Sequence, residues 1–177
     1  MTVETQATGT PSCGDNPRII DCKKDPRTAD KPFADDPCEC EEICAKVAEF
    51  NKGDKKRMDT TSKAYEDNRA AGNKAAAAFR EDNQALLAGG AAPSTMQSKF
   101  VADCRYQEWA NNKPVDTGFR KPTMLEADHV QEIQFGGAPG PENLKFLSEK
   151  VNGFMGPKLQ HYKEKHTGLK AENCGCT

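Results

Sequence analysis

Residues 123–160 read TMLEADHVQEIQFGGAPGPENLKFLSEKVNGFMGPKLQ, and their pattern decides the reading of the whole chain. Met124 and Leu125 open a short apolar run that ends at Asp128-His129. A loop rich in glycine and proline follows. Asn143 to Leu147 then has strand character. A short helix is expected to begin near Ser148 and to contain Asn152. The order is strand, loop, strand, helix. Gly136 and Gly137 supply the turn that the loop needs.

The residue types in this stretch suit phosphodiester hydrolysis. An attacking water must lose a proton, and histidine is the base whose pKa lies nearest neutrality. The phosphorane and the leaving oxygen need positive charge, which a hard metal with oxygen ligands supplies. Asp128 and His129 are neighbours on an extended segment, so their side chains leave opposite faces. The aspartate can then serve a metal on one side while the histidine approaches water on the other. Asn143 is expected to order the loop or orient His129. Asn152 is expected to offer an amide oxygen from the helix. Glu132 follows His129 by three residues and is expected to support the fold or the metal shell.

The segment resembles the ββα-metal finger of the HNH (His-Me finger) nuclease superfamily, through Asp128-His129, Asn143 and Asn152. More narrowly, ADHVQEIQFGG, ENLKFL and VNGFMG are similar to nuclease domains at the C-termini of bacterial polymorphic toxins and type VI secretion effectors. The likeness covers about residues 120–160. It implies Asp128 and Asn152 as ligands of a divalent ion, His129 as general base and Asn143 as the residue that positions it. The all-oxygen donor set favours Mg2+, with Mn2+ and Zn2+ as alternatives. The resemblance further implies a metal-dependent, non-specific DNA endonuclease. As an antibacterial effector, it would leave its producer by a non-classical route, through secretion machinery or an upstream delivery domain. It would act in the target cytoplasm and be held in check by a cognate immunity protein. A ribonuclease on the same fold and a disulfide-stapled binding module without catalysis are the competing readings.

The rest of the chain is expected to be helical. The chain has 177 residues, and its charges nearly balance, with 25 Lys and Arg against 27 Asp and Glu. Its mean hydropathy of -0.83 predicts a lean core. It shows neither an apolar run of membrane-spanning length nor the apolar core of a signal peptide near residue 1. Ile43, Val47 and Phe50 follow helical spacing after Asp36-Pro37. Residues 55–88 favour helix, with Gly89-Gly90 as the stop and the run Ala75 to Ala78 as a small-residue contact. Phe100, Val101, Cys104 and Trp109 give a further helix its apolar side. The fold class expected is α+β, mostly helical. An irregular leader spans 1–37, a helical scaffold 38–112 and the catalytic core with a C-terminal helix 113–177.

Eight cysteines, Cys13, Cys22, Cys38, Cys40, Cys44, Cys104, Cys174 and Cys176, make disulfide staples the leading expectation. Buried thiols and a zinc site compete with it, although the CxC pairs lack the usual CxxC zinc spacing. Between Lys145 and Lys170 six lysines face two glutamates, so phosphate contact is expected there. Lys145 and Lys158 are the candidates among them. His161 is a candidate to reach substrate or metal, and His166 is read as solvated. Both histidines lie in KLQHYKEKHTGLK, expected to be helical up to Gly168.

Overall fold

A computed structural model describes residues 17–20, 37–53, 56–85, 93–111, 125–163 and 168–171. Cys13, Cys22, Cys174, Cys176, His166 and the expected Gly89-Gly90 stop lie outside these residues. The elements in chain order are β1 (Pro17–Ile20), α1 (Pro37–Lys52), α2 (Lys63–Ala85), α3 (Pro93–Gln97), α4 (Asp103–Asn111), β2 (Leu125–His129), β3 (Leu144–Ser148), α5 (Glu149–Gln160) and β4 (Gly168–Ala171). The fold is mixed α and β, with helices dominant. No described helix is long and apolar enough to cross a membrane.

Strands β2 and β3 pair antiparallel, with Asp128 opposite Lys145 and His129 opposite Leu144. The connection between them holds 3-10 turns at Ile133–Phe135 and Pro141–Asn143. Gly136 closes the first turn at φ 81°, a backbone conformation that a β-carbon disfavours. Helix α5 follows β3 directly. Ser148 caps it, its side chain accepting from the Val151 amide at 3.1 Å. The outer edge of β3 is covered by residues 99–101: Phe146 N donates to Lys99 O at 2.7 Å, and Val101 N to Phe146 O at 2.8 Å. An otherwise exposed strand edge is thereby satisfied.

The β2–β3 hairpin divides two apolar clusters. On one side Ile43, Val47 and Phe50 of α1 pack with Leu147 and with Phe154 and Leu159 of α5. On the other, Phe79 of α2 joins Met96, Phe100, Trp109, Leu125 and Phe146. Ala75 and Ala76 lie against this second cluster, the small-residue contact that their composition suggests. Both clusters mix residues from the two sides of position 112.

Polar groups tie the same layers together. Glu42 on α1 is fully buried and accepts from Arg105 of α4 at 3.1 Å and from Ser148 N at 2.9 Å. Burial nevertheless pushes its carboxyl above the ordinary range, against the Arg105 charge. Cys38 and Cys104 form a disulfide that joins α1 to α4. Cys44 is also disulfide-bonded, and Cys40 packs against the first cluster.

Three expectations give way. The leader is not irregular throughout, because Pro17–Ile20 pairs parallel with Gly168–Ala171. Gly168 therefore opens a strand, and α5 ends at Gln160, so KLQHYKEKHTGLK is not one helix. The helix expected after Pro93 breaks into α3 and α4, because residues 99–101 are drawn into pairing with β3.

Candidate functional site

His129 ends β2, and its imidazole is half-buried. The ring hydrogen-bonds to the Pro139 carbonyl. Its Nε2 is buried with no partner among the described residues, so Nδ1 is the donor to Pro139. That tautomer leaves a lone pair on Nε2. Burial lowers the imidazole pKa below its ordinary 6.5, with Asp128 and the Pro139 bond opposing the shift. The ring is therefore neutral at neutral pH, as a base must be.

Asn143 holds the loop that presents Pro139. Its Oδ1 accepts from Gln131 N at 2.8 Å, and its Nδ2 donates to Gln131 O at 2.7 Å and Ala138 O at 2.8 Å. Of the two roles expected for Asn143, these bonds are those of loop ordering. Its backbone carbonyl also accepts from Val130 N, next to His129, at 2.7 Å.

Asp128 meets a cation from the helical half. Lys46 of α1, 1% exposed, places its ammonium 2.6 Å from Asp128 Oδ2, 3.1 Å from Glu132 Oε1 and 2.5 Å from the His129 carbonyl oxygen. Burial alone would lower the Lys46 pKa, but the two carboxylates outweigh it and hold the ammonium charged. Burial raises the Glu132 carboxyl despite its lysine partner. Glu132 thus supports the site through Lys46. No sequence motif marked Lys46.

Asn152 projects from α5 towards β2, where its Nδ2 donates to Glu126 Oε2 at 2.5 Å. Glu126 and Asp128 share one face of β2, two residues apart. Asp128 Oδ1 and Asn152 Oδ1 have no hydrogen-bond partner among the described residues. No described group of three or more His, Cys, Asp or Glu is placed to hold a metal ion.

The other candidates are distributed over β3 and the end of α5. Lys145 lies opposite Asp128 in the strand register. Lys158 sits over the Phe154 ring, 5.4 Å from its centroid. His161 is exposed at the C-cap of α5. Lys150 pairs with Glu39 at 3.0 Å.

His129 and Glu132 instead open onto a cleft of about 590 Å³ whose basic residues are Arg57 and Arg69. Tyr65, Asn73 and Gln160 share its wall. Helix α2 crosses beside the imidazole at Gly72. A β-carbon there would lie 2.1 Å from Ile133 Cδ1 and 3.1 Å from His129 Cε1 and Nε2. A larger residue there would displace the end of the Ile133 side chain and press on the imidazole.

No family model, curated protein or solved structure matches the chain.

Proposed function

We propose that this chain is a metal-dependent, non-specific DNA endonuclease of the HNH (His-Me finger) type, with β2, β3 and α5 as its ββα core. One observation carries the reading. An imidazole fixed through Nδ1, with a free lone pair on a buried Nε2, borders a polar cleft that holds two arginines. A buried nitrogen without a partner costs stability, and such a cost is expected where the atom serves chemistry.

The donor chemistry fits a hard divalent ion. Asp128 Oδ1 and Asn152 Oδ1 are both oxygen donors with no other partner among the described residues, as Mg2+ or Mn2+ prefers. Asp128 and Asn152 would hold the ion, while Lys46 fixes the other Asp128 oxygen. When bound, the ion supplies positive charge to the scissile phosphate and the leaving oxygen.

The chain's own residues then divide the work. His129 Nε2 takes the proton of the attacking water. Pro139 keeps the ring in the tautomer that can accept it, and Asn143 keeps Pro139 in place. In the described conformation Gly72 covers Nε2, so the ring or α2 must shift enough to admit one water.

The likeness to toxin domains extends the proposal to biology. The chain would be an antibacterial effector, exported by a non-classical route and active in the target cytoplasm. An immunity protein would cover the cleft with acidic residues. The Cys38–Cys104 disulfide suits passage through an oxidising compartment.

Incubating the purified protein with plasmid DNA and total RNA, in Mg2+ or in EDTA, tests the reading. Plasmid cleavage in Mg2+ that stops in EDTA is expected. Loss of RNA with the plasmid intact would move the substrate to RNA. Survival of both would leave a binding module without catalysis.

A further inference from the structure

Resting on that reading of the cleft, we infer that the cleft along α2 is a binding track for one polynucleotide strand. In it Arg57 and Arg69 hold phosphates and Tyr65 stacks on a base.

The geometry begins with helical spacing. Tyr65, Arg69 and Asn73 stand at i, i+4 and i+8, so they form one row on α2. All three line the cleft that also contains His129. The row covers about 12 Å at a rise of about 1.5 Å per residue. It ends beside Gly72, the residue against the imidazole. A strand laid along the row would therefore be led to Nε2.

Charge points the same way. Elsewhere in the described structure Lys46, Lys52, Lys63, Arg105 and Lys150 each pair with a carboxylate. Arg57 and Arg69 do not, and neither do Lys74, Arg80 and Lys145 outside the cleft. Arg57 donates only to neutral oxygens, Gln160 O at 2.6 Å and Gln134 Oε1 at 3.3 Å. Its Nε is buried without a partner among the described residues. Arg69 is exposed, with no hydrogen bond or ion pair among the described residues. The only carboxylate in the lining, Glu132, is bound to Lys46. Among the described residues no carboxylate therefore pairs with either arginine of the cleft, and the buried Arg57 Nε and His129 Nε2 have no hydrogen-bond partner.

Size and composition choose the ligand. About 590 Å³ is the scale of a small-molecule site and suits a short length of one strand. Arginines, an aromatic ring and neutral amides are the groups that grip single-stranded nucleic acid through phosphates and base faces. The track therefore takes single-stranded or locally unpaired substrate and reads little sequence.

Binding of a fluorescent 12-nucleotide DNA strand to the full chain carrying His129→Ala, in Mg2+, tests this by anisotropy at several salt concentrations. Arg69→Ala should weaken binding about tenfold and lower the salt slope by about 1. Tyr65→Ala should weaken it roughly 5- to 100-fold with the slope unchanged. Lys63→Ala, which removes a carboxylate-paired charge from the same helix, should change nothing. The matching duplex should bind more weakly. Unchanged binding in Arg69→Ala and Tyr65→Ala would overturn the track, as would a duplex bound as tightly as the single strand. Cleavage by the parent protein is read separately. If it fails while both variants lose binding, the track stands and the hydrolytic reading falls.

Discussion

The Lys46 ammonium lies 2.6 Å from Asp128 Oδ2, joining residues 82 positions apart. With bonds to Glu132 and the His129 carbonyl, all three ammonium donors are used. Lys46→Met should strand two partly buried carboxylates and lower stability by about 3–5 kcal/mol. Urea unfolding measures this. A loss below about 1 kcal/mol would mean that the lysine is not the cation holding α1 to β2.

Because burial lowers the His129 pKa below 6.5, the pH dependence has a definite sign. The neutral ring is the active base, so kcat/KM should stay level as pH falls through 6.5 and drop only at the lower folded-state pKa. Stability follows the same direction. A depressed folded pKa contributes stability that is present above the unfolded value and lost as pH falls through the folded one. A pH–rate profile paired with unfolding at each pH checks both. Activity that falls with a midpoint above 6.5 would contradict the assignment.

Asn143→Ala removes three hydrogen bonds from the loop carrying Pro139. The imidazole would lose its fixed orientation, and kcat should fall about 100-fold. KM should change little, because Asn143 does not line the cleft. A rise in KM with kcat intact would instead place Asn143 on the substrate.

The Cys38–Cys104 disulfide closes a segment of 66 residues. By loop entropy its loss should cost about 4 kcal/mol. Comparing the Tm of wild type with Cys38→Ser/Cys104→Ser measures the effect. Equal Tm values would remove the disulfide from the account of stability.

Much of the hairpin and α5 was legible because its signals are local. Asp128-His129 ends a strand, Gly136 turns the loop and a helix starts near Ser148, each within a few residues. The helical spacing of Ile43, Val47 and Phe50 likewise identified the buried face of α1. Lys46 was illegible because a buried charge takes its meaning from a distant partner, and in sequence it resembles any lysine on a polar helix. Arg57, Tyr65 and Arg69 were hidden for the same reason, since only packing brings α2 against the β2–β3 loop. The lysine-rich run from Lys145 to Lys170 suggested phosphate contact, yet within it Lys150 pairs with Glu39 and Lys158 sits over the Phe154 ring. The β1–β4 pair escaped notice because short strands in polar segments acquire their partners through tertiary contact.

The most direct test of the central claim is DNA integrity in cells expressing the chain, wild type against His129→Ala. The account predicts that wild type fragments chromosomal DNA and stops growth, while His129→Ala accumulates to the same level and leaves both intact. Equal DNA damage from the two proteins would contradict it.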